Sequence, residues 1–341
     1  MTNRSCLAVL VFVALGCSAP AAPAVPAAPT VAPTAAPTQA PATIATPSEF
    51  PVTFTDDEGT EITLAAEPDS IVSLTPATTE LVFALGAGNR LKGGTDYDDY
   101  PPDAIGLPDV ATFTGVLIEK VVDIDPDLVI AGGNNFTSAA DIDRLRDLGL
   151  TVMVVYAATV DAVLDDIRLI GRAIGTADEA EAMAADMDAR IDEVANAVAS
   201  LPRPRVFYEI GNEPEIFGPA PDSFVQDMVE LAGGDAITTT DPAVFSISLE
   251  RLVSEDPEVI VLGDAAYGVC PDSVLSRPGW QTITAVREHD VRPVDDIVVT
   301  RPGPRLGEGL AALALTIHPD AVISPPTVGA ELCAASPPPT Q

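Results

Sequence analysis

Apolar positions follow two alternating rhythms through the body of this chain, from about residue 50 to residue 319. Short unbroken runs such as Leu128-Val129-Ile130 and Val259-Ile260-Val261 predict buried strands, whereas stretches with an apolar residue at every third or fourth position predict helices. One compound pattern occurs twice at a constant offset. Ile118-Glu119-Lys120-Val121-Val122 passes through Asp125-Pro126-Asp127 into the first run, and Leu249-Glu250-Arg251-Leu252-Val253 passes through Asp256-Pro257-Glu258 into the second. Each copy predicts a short helix that stops before a proline and feeds a parallel strand. Upstream of each lies a matching unit: a strand at residues 70–74 with a helix ending at Gly86-Ala87-Gly88, and a strand at 205–209 with a helix ending at Gly233-Gly234. Glycines there suit the left-handed turn that closes a helix.

Alternation of strand and helix implies parallel sheets with right-handed crossovers, so the predicted fold class is α/β, two related parallel-sheet lobes. Between the repeats, residues 159–201 are rich in Ala, Glu, Asp and Met, and Gly171 and Gly175 divide them into two helices. The second, about 177–201, has no internal Gly or Pro and spans roughly 36 Å at ~1.5 Å per residue. Ala180, Met183, Ala184, Met187, Ile191 and Val194 give it one apolar stripe. It is read as a single long backbone helix joining the lobes. The resulting partition is 1–17, 18–48, an N-terminal lobe at 49–158, connecting helices at 159–201, a C-terminal lobe at 202–319 and a Pro-rich tail at 320–341.

The ends change the picture. Residues 1–17 carry Arg4, an apolar run and Ala14-Leu15-Gly16-Cys17, the layout of a secretory signal peptide, and its close resembles a bacterial lipobox with Cys17 as the lipidated residue. Several acyl chains on Cys17 suffice to hold a protein to a membrane, so an exported chain, lipid-anchored to the outer face of the cell membrane or periplasmic, is expected. Residues 18–48 are almost wholly Ala, Pro, Thr and Val, a semi-stiff tether reaching on the order of 100 Å at most. The formal net charge of −34 excludes nucleic acid and an anionic membrane surface as electrostatic partners. With Cys6 in the leader and Cys17 in the lipobox, Cys270 and Cys333 are left, and two thiols in an exported protein read as a disulfide.

Several stretches, taken in order, cover the whole body: Ser73 to Leu81 (SLTPATTEL), Asp96-Tyr97-Asp98-Asp99-Tyr100-Pro101, Glu119 to Ala131, Ser248-Leu249-Glu250, Arg277-Pro278-Gly279-Trp280 and Arg301-Pro302-Gly303-Pro304-Arg305. Together they resemble the metal-chelate solute-binding proteins of ABC importers, those for vitamin B12, ferric siderophores and haem, and the cobalamin-binding branch above all. The resemblance implies a monomer that holds cobalamin or an iron chelate between its lobes, without a cofactor of its own, and delivers it to an ABC importer permease. It implies ligand-binding positions on strand-end loops, for which Tyr97, Phe113, Asn135, Phe136, Phe217, Phe245 and Arg301 are the candidates, because aromatic faces suit the broad edge of a macrocycle. It also implies that Glu119 and Glu250, one per lobe, meet arginine pockets on the permease. Where the B12-binding member carries tryptophans, this chain has Phe113, Gly132 and Val244.

Neither histidine, His289 or His318, has a second ligand at zinc spacing, so no metal site of the protein's own is expected. Asp96, Asp98 and Asp99 read as a solvated acidic loop. One enzymatic alternative remains. Glu209-Ile210-Gly211-Asn212-Glu213-Pro214 resembles the strand-end acid/base segment of barrel glycosidases, in which Glu213 is the acid/base and Glu250 or Glu308 the second carboxylate.

Overall fold

The computed structural model of this protein describes residues 50–133, 136–327 and 332–333, and burial alternates along its first two strands. The lipidation position Cys17, the leader, the tether and Asn135 lie outside the described residues. Strands β1 (Val52–Thr55) and β2 (Glu61–Leu64) pair antiparallel and place Phe54, Ile62 and Leu64 inward. Each is four residues long, too short for its period to stand out in the sequence.

The N-terminal lobe follows as β3 (Ile71–Ser73), α1 (Pro76–Ala84), β4 (Leu91–Thr95), β5 (Asp109–Thr112), β6 (Gly115–Val116), α2 (Ile118–Ile124), β7 (Leu128–Gly132), α3 (Ala139–Asp147) and β8 (Val152–Val155). These strands form a six-stranded sheet in the order β6-β5-β4-β3-β7-β8. It is parallel except for the short β6, which folds back on β5. Ile71, Leu128, Ile130 and Met153 join one core while Val72, Val129, Ala131 and Val152 join another. That period of two, with apolar residues on both sides, is what a parallel sheet covered by helices requires.

Two helices then leave the lobe: α4 (Val160–Ile174), capped by the Thr159 side chain and ended by Gly175 at φ 75°, and α5 (Ala177–Val198). The stripe Ala180, Ala184, Met187, Ile191, Val194 and Val198 is buried, Met183 only partly, and α5 packs on α4 and on the last helix of the chain. Gly171 permits that approach, because a Cβ there would sit 2.2 Å from the Cβ of Ala180. After α5 come β9 (Arg205–Glu209), α6 (Phe224–Leu231), β10 (Asp235–Ala236), α7 (Leu249–Glu255), β11 (Val259–Leu262), α8 (Pro271–Leu275), α9 (Thr284–Glu288), β12 (Val291–Pro293), α10 (Asp296–Thr300) and α11 (Leu306–Ile317). Their four-stranded sheet runs β10-β9-β11-β12, parallel throughout. One apolar core extends from the β1–β2 hairpin through α4 and α5 to α11 and one face of this second sheet.

The sequence repeat has a structural counterpart. Both α2 and α7 are seven residues long and end on an aspartate in the left-handed region, Asp125 at φ 51° and Asp256 at φ 48°. Two residues on, Asp127 accepts from the backbone N–H groups of Asp69 and Ser70, and Glu258 from that of Arg205, so each repeat ties its own strand to the start of the preceding unit's strand. The tail is fastened too. Ser324 donates through N–H and Oγ to Glu193 and accepts from Arg190, and the Thr327 N–H donates to Glu308. Further on, the Cys333 sulfur is bonded to that of Cys270 at the N-terminus of α8, with the Cα atoms 5.6 Å apart.

Candidate functional site

Parallel strands deliver all their carboxyl ends to one edge, and chemistry in open α/β sheets gathers there. In the N-terminal lobe that edge carries Tyr97 and Tyr100 after β4, Phe113 at the tip of the β5–β6 turn and Phe136 after β7. Phe113 is 94% exposed and Phe136 75%, and Tyr97 and Tyr100 are each about two-fifths exposed. The C-terminal lobe contributes Phe217, Phe245 and Tyr267. Phe217 lies on a short excursion after β9 that bridges to Gly211 on one side and Ser246 on the other, and the Gly218 N–H donates to the Phe245 carbonyl, so these two phenylalanines are neighbours. Tyr267, at the end of the short turn after β11, is 83% exposed. Phe113, Phe136 and Tyr267 above all stand in water at these strand ends.

The two edges are joined by an ion cluster. Arg301, which closes α10, donates to Glu80 at 2.6 Å and to Asp99 at 2.7 Å. Arg305, at the start of α11, donates twice to Glu80, at 2.8 and 2.7 Å, and its guanidinium lies 4.2 Å from the centroid of the Tyr100 ring. Glu80 and Asp99 belong to the N-terminal lobe and both arginines to the C-terminal lobe, so the loop carrying Tyr97 faces the segment carrying Arg301. Glu80 itself is only 2% exposed.

Local structure explains how that loop is held. Asp98 accepts from the Thr95 N–H and hydroxyl and from the Thr79 hydroxyl. It is buried, which corrects the expectation of a solvated acidic loop: only Asp96 and Asp99 are exposed. Burial raises the Asp98 carboxyl above its usual range, against the pull of those hydrogen bonds and of Arg301. Burial, then Asp96 and Asp98, also raise the Tyr97 phenol, which holds its proton. Gly94 makes room for this turn, since a Cβ there would meet Asp98 Oδ2 at 2.2 Å. Gly132 is equally constrained: a Cβ there would lie 2.6 Å from Thr75 and 3.0 Å from Phe136, so no aromatic side chain fits.

Beneath the second edge lies a buried polar group. Glu209, at the end of β9, takes both terminal nitrogens of Arg277 at 2.5 and 2.8 Å, and Arg277 stacks 4.6 Å from the Trp280 ring centroid. Asn212 donates to Glu209 and to Asp264. Burial and the neighbouring Glu209 charge push the Asp264 carboxyl up, and its Oδ1 has no hydrogen-bond partner among the described residues.

The strands and carboxylates of this segment are arranged differently from those of a barrel glycosidase. Glu213 is exposed, β9 belongs to a four-stranded open sheet, and the buried carboxylate of that segment, Glu209, is held by Arg277. Glu308 is taken by Arg190 and Thr327, and Glu250 is exposed in the first turn of α7. Glu119 stands in the matching position of α2 and is also exposed. Of the remaining candidates, His318 contacts the Gly233 carbonyl and His289 closes α9 just before the amino end of β12, opposite to the carboxyl ends of the strands. Among the described residues no group of three or more His, Cys, Asp and Glu side chains is arranged to hold a metal ion. Two surface cavities of about 450 and 490 Å³ lie along α5, lined by residues such as Asp166, Arg168 and Glu181 or Met183, Arg190 and Glu308, rather than at the strand ends.

Sequence reasoning missed Glu80, Asp99, Tyr100 and Tyr267. In the fold, residues 77–82 of α1 are buried without interruption, so the Glu80 carboxylate needs a cationic partner, but no local spacing in the sequence announces that burial. Tyr267 had no signal either, because a tyrosine in a short turn carries no period.

Residues 71–298 match the model of a family described as periplasmic binding protein. A Bacillus subtilis protein named as an uncharacterized ABC transporter substrate-binding lipoprotein is 35% identical over 276 residues, which cover 80% of this chain and 87% of that protein. A cobalamin-binding protein of Halobacterium salinarum is 32% identical over 290 residues, covering 79% and 74%. Among solved structures, a periplasmic haem-binding protein from Pseudomonas aeruginosa superposes with a TM-score of 0.65 at 27% identity, covering 76% of this chain and 96% of the other.

Proposed function

The chain belongs to the periplasmic binding protein family, and we propose that within it this protein is an exported solute-binding lipoprotein, anchored through Cys17, that captures cobalamin between its lobes and passes it to an ABC importer. The observation that supports this reading most is the Arg301 contact with Asp99 and Glu80. It sets two strand-end edges face to face, each with exposed aromatic side chains that have no other work in the fold.

Tyr97, Phe136, Phe217 and Phe245 are the side chains proposed to touch the ligand, with Phe113 and Tyr267 at the periphery. Aromatic rings give wide apolar contact at a low entropy cost, the property needed for a large planar macrocycle. The cobalamin-binding relative favours a corrinoid over haem among the chelates such a site can take. Glu119 and Glu250 are proposed to dock the permease, one per lobe.

The test is native mass spectrometry of the purified protein with cyanocobalamin, haemin and a ferric siderophore in turn. A one-to-one adduct with cyanocobalamin at micromolar concentration supports the reading. Absence of any adduct with all three contradicts it.

A further inference from the structure

Every arginine found on the facing loops is already neutralised from within the chain. Arg301 is shared by Glu80 and Asp99, Arg305 is held twice by Glu80, and Arg277 is held twice by Glu209. The carboxylates nearby are not matched in the same way: Asp96, Glu213 and Glu215 are exposed and form no ion pair among the described residues. A site with its cations occupied and several anions free presents a negative potential, and this adds to a net charge of −34 over the chain. An anionic ligand entering it must either displace a buried carboxylate from an arginine or remain unpaired, and each costs affinity.

The donor atoms point the same way. The strand-end loops named above hold no histidine, and Cys270 is in a disulfide. Oxygen donors from tyrosine and the exposed carboxylates are present, whereas nitrogen and sulfur donors are not. A chelate whose metal needs an axial nitrogen or sulfur ligand from the protein finds none on these loops.

We propose that this site selects metal chelates that are neutral or cationic and fully coordinated before they arrive, and that Glu80, by occupying Arg301 and Arg305, is the residue that sets this charge preference. It rests on the reading given above and narrows it. Glu80 acts through the two arginines and is a specificity residue rather than a ligand contact. In its absence the same two guanidiniums would be a site for carboxylates or catecholates.

The experiment is equilibrium titration of the full mature protein with four probes: neutral cyanocobalamin, cationic diaquocobinamide, haemin with its two propionates, and an anionic ferric tris-catecholate. The wild-type protein is expected to bind the two corrinoids about a hundredfold more tightly than the two anions. Glu80→Gln is expected to narrow that ratio by about tenfold or more, the size of one unmasked charge at close range. Asp99→Asn, at an exposed position, is expected to narrow it in the same direction, and decides the matter where Glu80→Gln does not fold. Anions bound as tightly as corrinoids by the wild type, or a ratio unmoved in Asp99→Asn and in folded Glu80→Gln, would overturn the charge rule while leaving a chelate-binding protein. No binding of any probe would overturn both.

Discussion

Arg305 and Glu80 stand on opposite lobes, 225 residues apart in the chain, yet meet through two hydrogen bonds of 2.8 and 2.7 Å, with the guanidinium resting on Tyr100. Removing the carboxylate strands two arginines whose side chains are mostly buried. Glu80→Ala is therefore expected to cost about 3–5 kcal/mol, the usual penalty for breaking one side of a buried pair. Urea denaturation checks this, and a loss below about 1 kcal/mol would mean that the cluster is not structurally important.

A second carboxylate gives a pH signature. Burial first, then the charge and hydrogen bond of Asp57 and the charge of Asp165, raise the Asp166 carboxyl from 3.8 to about 9. The folded chain keeps this proton through neutral pH while the unfolded chain releases it near pH 4. Folding thus takes up a proton between those values, and stability falls as pH rises through that window. Asp166→Asn removes the effect. Its stability relative to wild type is expected to rise between pH 5 and pH 8, by at most about 4 kcal/mol at ~1.4 kcal/mol per pH unit, measured by denaturation at both pH values. A difference that does not change with pH would contradict the shared proton.

The Cys270–Cys333 bond ties the end of the described tail to the C-terminal lobe. Cys333→Ser is expected to lower stability by about 2–5 kcal/mol, in the range for removing a native disulfide from an exported domain. Alkylation of the unreduced mature protein is expected to label neither cysteine, and two labelled thiols would exclude the bond.

Docking is separable from binding. Glu119→Arg with Glu250→Arg reverses one exposed charge on each lobe at matching positions of α2 and α7. Uptake through the importer is expected to collapse while ligand affinity in solution stays unchanged, because surface charges of this kind govern encounter and orientation. Normal uptake by the double variant would remove the docking role. A loss of stability alone would leave each glutamate as a partner of its helix dipole.

The repeat was the most legible feature of the fold. Asp125-Pro126 and Asp256-Pro257 mark two helix ends, and both aspartates adopt the left-handed conformation that such a stop requires. The α5 stripe was legible for the same reason, being long and periodic. The β1–β2 hairpin and β6 were not, since strands of two to four residues carry too little pattern. At the site, aromatic residues on strand-end loops were visible as candidates, and the structure leaves Phe113, Phe136 and Phe245 in solvent. Partners were invisible. Nothing in the chain near Arg301 announces Glu80, because their contact depends on how two sheets are set against each other rather than on any local spacing.

Central to the account is a ligand gripped from both lobes, and the most direct measurement is calorimetric titration of cyanocobalamin into the wild type and into Tyr97→Ala, Phe245→Ala and the double variant. One-to-one binding is expected with a Kd of about a micromolar or tighter, weakened about tenfold or more by each single change and nearly abolished by both together. Wild-type binding that neither substitution alters would contradict a grip from both lobes.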